Sequence, residues 1–353
     1  MWISDFGRLA YSQEALSSFL GSDPENRRKT LHDNNAEPSQ LADSHVVTMI
    51  GYTKSDSQTH TNYYPWQAIG RAFRTLGFRV EFADYQNLKR LGEKRIFVCW
   101  EDPDSEKILF SPGFRKGDLI LQKITTVHPG SDFDWSKDYG SALANWDFPH
   151  LKRYSELVNE GAPIVCFGAK VAPDSSIIGT KLKSQLGYRY VDVYWGSSSF
   201  SWEQTLNSKF VAEGFSLPSL FVGSKWGSGS RGNRADWDDF MSPLEKSPEI
   251  KLKSIGGIGK TKPSDAAMVS LLREARITPI LHARSWRLER GLQDRFFTTI
   301  LSGRVGPNDN LGARELLGIT ASLFTSEDPV EYIEIAHSLF GDMELQRAIY
   351  EES

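Results

Sequence analysis

Two short runs, IFVC at residues 96–99 and PIVCFGA at 163–169, are apolar at almost every successive position instead of at alternate ones. A strand of that kind must be covered on both faces, and a parallel sheet sandwiched by helices is the arrangement that does so. Helix-period runs fall between such strands. SHVVTMIGY is followed by PWQAIGRAFRTLG, which is closed by Gly77, and then by FRVEFAD, which makes a βαβ unit. DLILQKITT continues the strands, the helix in ALANWDFPHLKRYSELVNEG ends at Gly161, and YRYVDVYW with a helix from about residue 202 to 213 completes the first half.

The same alternation starts again with PSLFVGS and runs through DWDDFMSPLEK, EIKLKSIGG, SDAAMVSLLREA, RITPILHA, GLQDRFFTTILSG, RVGPND, GARELLG and ASLFT. DPVEYIEIAHSLFGD and MELQRAIYEES follow as closing helices. A chain of 353 residues exceeds one comfortable core, so the reading is two α/β domains in tandem. Their expected limits are 1–44 for an N-terminal helical arm and loop, 45–215 for the first domain, 216–340 for the second, and 341–353 for a closing helix. The residues from 21 to 44 are polar and without apolar period, which is why they are read as a loop.

Acidic residues (45) outnumber basic ones (41), which argues against a broad nucleic-acid footprint and leaves no nucleic-acid partner expected. The opening residues lack a signal-peptide pattern and no window holds 18 uninterrupted apolar residues, so a cytoplasmic protein without a transmembrane segment is expected. Cys99 and Cys166 each sit in an apolar run and read as buried thiols.

One stretch concentrates turn chemistry. LSGRVGPNDNLGARELL, residues 301–317, places Gly303, Gly306, Pro307, Gly312 and an Asn-Asp-Asn run between two helical segments. Strand carboxyl ends and helix N-termini are where open parallel sheets bind phosphates. Gly312 opens a helix without a Cβ, and Glu315 follows within one turn, where a carboxylate suits a sugar hydroxyl.

Ser302-Gly303, Asp309, Gly312 and Glu315 fall in the order x-G, Asp, Gly, two residues, Glu that marks the donor half of GT-B-type glycosyltransferases, and the stretch resembles that family. The resemblance implies two Rossmann-like, doubly wound domains facing a central cleft, the second holding a nucleotide-diphosphate sugar and the first a glycan or other hydroxyl acceptor. It further implies transfer without a metal or other cofactor, the nucleotide sugar being a co-substrate. The family's helix glutamate falls on Thr298 and an earlier one on Arg290, so ribose and phosphate fall to neighbouring groups. The donor-binding set implied is Lys225, Arg231, Arg290, Arg295, Asp309, Asn310, Gly312 and Glu315. In the first half, the interval from Pro65 to Gly77 is similar to that of the family's H-x-x-P helix, whose histidine falls on Asn62. His60, in the loop SDSQTHTNYY, is the candidate base, as are Asp56 and, farther along, His128 and Asp134 in TTVHPGSDFDW.

Two rival readings come from the residues. Asp102 with Asp104, Asp132 with Asp134, and Asp236 with Asp238 are spaced as in metal-dependent GT-A glycosyltransferases, where such a pair holds Mg²⁺ or Mn²⁺ against a diphosphate. A non-catalytic carbohydrate-binding protein on a transferase fold is the other, favoured by the departures at Thr298 and Arg290. IGGIGK, at 255–260, lacks the full phosphate-loop pattern and reads as a turn.

Overall fold

The computed structural model describes residues 41–51, 63–84, 88, 93–99, 104–124, 149–169, 184–193, 207–228, 231–256, 265–288 and 290–353. Contacts divide the chain into two units; the described residues up to 193 form the first, and those from 207 onward form the second. No helix among the described residues is long and apolar enough to cross a membrane.

The first unit is built on six parallel strands: β1 (His45–Ile50), β2 (Arg79–Ala83), β3 (Lys94–Cys99), β4 (Leu119–Ile124), β5 (Ile164–Ala169) and β6 (Tyr190–Val193). Their order across the sheet is β2-β1-β3-β4-β5-β6, so it reverses between β1 and β3. Among the described residues the first unit also has the helices α1 (Tyr63–Thr75), α2 (Asp104–Leu109) and α3 (Pro149–Asn159), and a 3₁₀ turn (Gly187–Arg189). Both α1 and α3 end as the glycines anticipated. Gly77 and Gly161 adopt φ of 88°, and Phe78 N–H reaches back to the Phe73 carbonyl as Ala162 N–H does to Leu157. These are helix ends closed by a left-handed residue, which glycine occupies without a Cβ penalty. The sheet is buried along its middle: β1 is buried at all six positions, and Trp66 of α1 is fully enclosed.

The second unit begins with β7 (Leu217–Val222) and a two-stranded antiparallel pair, β8 (Gly227–Ser228) with β9 (Arg231–Gly232). Next come α4 (Arg234–Phe240), α5 (Ser242–Lys246), β10 (Lys253–Ile255), α6 (Asp265–Glu274), β11 (Ala275–Ile277), α7 (Arg284–Leu288), α8 (Asp294–Leu301) and α9 (Gly312–Leu317). A 3₁₀ turn (Gly318–Leu323), α10 (Pro329–Gly341) and α11 (Met343–Glu352) finish the chain. The parallel order is β10-β7-β11, and single bridges carry it on from Ile280 to Asn308 and from Asn308 to Thr325. Counting those two bridge positions as rudimentary strands, the second sheet has the order 2-1-3-4-5, the order of the first five strands of the first unit.

Several elements differ from expectation. RVGPND and ASLFT reduce to the one-residue bridges at Asn308 and Thr325, since each is flanked by turn-forming residues that leave no length for a ladder. DWDDFMSPLEK breaks into α4 and α5 because Pro243, at the start of α5, has no N–H to continue the first helix. The described part of the expected 202–213 helix, from residue 207, is irregular. It belongs to the second unit: Val211 N–H donates to the Gly303 carbonyl (3.1 Å), Arg304 donates to the Val211 carbonyl, and Tyr350 donates to Ser208 Oγ (3.1 Å). The second unit thus reaches back before residue 216. It also includes α11, whose Ile349 lies in the same apolar core as Phe221, Phe296 and Tyr332. That core is aromatic-rich, with edge-to-face pairs Phe221–Trp237 and Phe240–Tyr332, each 5.1 Å between centroids.

Candidate functional site

Strand β7 lies where the order of the second sheet reverses toward β11, and ligands of open α/β sheets collect beyond the carboxyl ends at such a point. The groups at those ends are charged. β7 leads into Gly223, whose N–H bonds the Ile255 carbonyl (2.9 Å), and β11 leads through Ile280 and Leu281 into His282. The guanidinium of Arg295, in the first turn of α8, lies between them. It donates to the Leu281 carbonyl (3.2 Å), stands 5.1 Å from the centroid of Phe221, and would be 2.7 Å from a Cβ at Gly223. Glycine at 223 therefore makes room for an arginine. Burial draws the Arg295 pKa down, with Asp309 and Asp294 opposing that shift. Among the described residues its hydrogen bonding is this one carbonyl, which leaves further donors of a five-donor group uncommitted.

Beneath Arg295 runs a buried polar chain. Asp309 is wholly enclosed; its two oxygens accept the His282 backbone N–H at 2.9 and 3.0 Å, and Oδ1 lies 2.7 Å from His282 Nδ1. Arg287 Nε approaches Asp309 at 3.5 Å and the same guanidinium donates to Asp236. Arg284 also donates to Asp236, so that carboxylate is gripped by two guanidiniums. Arg287 lies 5.3 Å from the centroid of Phe240. Truncating one member of such a buried ion pair costs about 3–5 kcal/mol, because the partner charge is left stranded.

The turn at 301–317 closes on itself. Asn310 Nδ2 donates to the Gly291 carbonyl (2.6 Å), and Asn310 Oδ1 accepts from Gly312 N–H (2.9 Å). Ala313 and Arg314 N–H groups return to Asn310 and Leu311. The space a Cβ at Gly312 would take is filled by the Arg290 carbonyl, 2.1 Å away, so the close approach that requires glycine is to the chain's own backbone. Arg290 ends α7 with φ of 58° in the position that glycine fills at Gly77, Gly161 and Gly303. A left-handed arginine costs about 1 kcal/mol or more relative to glycine, and strain of this kind gathers at functional sites. Its side chain lies 3.1 Å from Glu327 and 3.9 Å from Glu315.

Of the residues named from sequence, Arg290, Arg295, Asp309, Asn310, Gly312 and Glu315 are thus linked by contacts around β11 and Asn308, Arg295 at the start of α8 and Gly312 and Glu315 on α9. Lys225 lies on the loop after β7, its Nζ 3.2 Å from Asp238 and 5.7 Å from the centroid of Trp237. Arg231 opens β9. His60, Asp56, His128 and Asp134 lie outside the described residues. Sequence reasoning passed over His282, Arg284 and Arg287; their signal was position, in the residues directly after the strand RITPI. Among the described residues no group of three or more His, Cys, Asp or Glu side chains is placed to hold a metal ion. The Asp236–Asp238 pair is engaged by cations: Asp236 by Arg284 and Arg287, and Asp238 by Lys225.

The chain matches no known protein-family model and no curated protein sequence.

Proposed function

We propose that the chain is a cytoplasmic GT-B-like glycosyltransferase that moves a sugar from a nucleotide-diphosphate donor to a glycan or other hydroxyl acceptor without a metal ion. The observation that carries this reading is the Arg295 guanidinium at the reversal point of the second sheet, with donors uncommitted among the described residues and the ion pairs of Asp309 and Asp236 in the same unit. Transfer from a nucleotide sugar requires a fixed positive charge where the diphosphate departs, and a preoriented arginine supplies it in the bidentate geometry phosphate prefers. The first turn of α8 adds to this, since Gln293 leaves it without a side-chain cap.

The order 2-1-3-4-5 in both units supports the doubly wound part of this reading, in which the first unit supplies acceptor groups, including His60 and Asp56, and the second binds the donor. Arg290, Glu315 and Lys225 line the donor's surroundings, while Asp309, Asn310 and Gly312 hold the loops in place. The arginines on Asp236 weigh against a metal-dependent reading of that pair.

The test is a thermal-shift panel of UDP-, GDP-, dTDP- and CMP-sugars, with and without EDTA, on the wild type and on Arg295→Ala. One nucleotide class is expected to raise Tm, EDTA to leave the rise intact, and Arg295→Ala to weaken binding by roughly 10- to 100-fold, the equivalent of about 1.5–3 kcal/mol for a charged hydrogen bond. A chain that no nucleotide sugar stabilises is not a glycosyltransferase of this kind. Binding without transfer to any acceptor returns the carbohydrate-binding reading.

A further inference from the structure

Among the described residues Arg295 makes no ion pair, and its hydrogen bond goes to a neutral group, the Leu281 carbonyl (3.2 Å). The same peptide unit continues to His282, whose N–H is donated to both oxygens of Asp309, at 2.9 and 3.0 Å. One peptide plane therefore stands between the two charges, its carbonyl on the cation and its amide on the anion. Both ends polarise that peptide in the same sense, so each bond strengthens the other. The preceding residue is fixed as well: Ile280 N–H is donated to the Pro307 carbonyl (2.9 Å), and the Ile280 carbonyl accepts from the Tyr332 hydroxyl (3.0 Å). Burial pulls the Arg295 pKa down, and of the charges that oppose it Asp309 has the largest effect. Asp309 has no exposed surface, so it reaches a ligand only through what it holds, whereas Arg295 keeps part of its surface open.

We infer that Asp309 is a positioning residue for the transfer reaction: through the Leu281–His282 peptide it fixes the orientation of Arg295, the group that receives the diphosphate. This rests on the proposed glycosyl transfer and deepens it, because it turns the aspartate of the donor motif from a ligand contact into the support of one. An arginine anchored on a polarised carbonyl presents its remaining N–H groups in a set direction. Such a donor gives up less freedom when a phosphate arrives, and that saving appears as affinity. An aspartate that merely ties the loop together would affect stability with no special dependence on Arg295.

The test is a double-mutant cycle of Asp309→Asn and Arg295→Ala, read by calorimetric titration with UDP, GDP and dTDP. Asparagine keeps an oxygen for the His282 N–H and removes the charge. Asp309→Asn is expected to weaken the nucleoside diphosphate that the wild type binds best by roughly tenfold, and to add nothing further in the Arg295→Ala background. Losses that add, or an affinity that Asp309→Asn leaves unchanged, overturn the positioning role while leaving the transferase reading intact. A second measurement stands whether or not Asp309→Asn folds. The amide signal of His282, followed by nitrogen-15 NMR, is expected to move when the nucleoside diphosphate draws on Arg295 in the wild type. It is expected to stay in place in Arg295→Ala saturated with the same ligand. An amide that moves alike in both chains, or in neither, overturns the link between Asp309 and Arg295. A wild-type chain that binds none of the three nucleoside diphosphates overturns both readings.

Discussion

At the scale of single residues, the second unit is governed by where its charges lose water. His282 is enclosed, and burial lowers its pKa more than Asp309 raises it, with Arg295 and Arg287 pushing in the same direction as burial. The folded chain therefore holds this histidine neutral at a pH where the unfolded chain, with an ordinary value near 6.5, begins to take up a proton. More protons on the unfolded state mean that stability rises with pH. The contribution of His282 is complete above about pH 6.5 and declines as pH falls from there toward its depressed folded value. Urea unfolding followed between pH 5 and 8 is expected to show that decline in the wild type and a flatter profile in His282→Asn. Parallel profiles would mean that the imidazole takes no part in the pH response. Tyr332 belongs to the same enclosed chemistry: burial raises its pKa well above 10, and its hydroxyl donates to the Ile280 carbonyl at 3.0 Å, so it remains a neutral strut.

Among elements, the helix ends are where local sequence speaks most directly. Gly77 and Gly161 were legible as stops because a left-handed closing residue is a local requirement that glycine meets at no cost. Arg290 closes α7 in the same way and gave no such signal, since nothing local favours arginine there. The other end of a helix is equally readable. Asp328 precedes Pro329 and caps α10, accepting from Val330 N–H at 2.9 Å and Glu331 N–H at 3.0 Å, while Ser326 Oγ donates to Glu331. Asp328→Ala is expected to lower stability by about 0.5–2 kcal/mol, whereas Asp328→Ser should recover most of it. Denaturant midpoints of the two variants check this, and equal losses would show that the cap bonds contribute little. Strands of the second unit were harder to read. Asn308 and Thr325 make single bridges within runs rich in turn residues, so their place in the sheet depends on neighbours far along the chain.

For the whole molecule, the division of labour is the testable property. The proposed division of labour puts the donor in the second unit and the acceptor in the first. Hydrogen exchange with a stabilising nucleotide sugar is expected to slow at residues 223–226, 281–288 and 290–295, and to leave β4 and β5 of the first unit unchanged. Protection confined to the first unit would place the donor there and reverse the proposed roles. The alternation of apolar and helix-period runs was enough to expect parallel α/β architecture twice over. In the turn at 301–317 the amides of Gly312 and its followers, read from sequence as free for a ligand, are used by the chain to bond itself.

The sequence by itself determined the parallel α/β character and the glycine-closed helices, because both follow from periodicity and backbone freedom within a dozen residues. Tertiary structure alone decided that His282 meets Asp309 27 residues away, and that Arg284 and Arg287 grip Asp236 across 48 and 51 residues. Such pairs depend on which strand ends the fold places side by side, and on the loss of water that makes a carboxylate there seek every donor within reach.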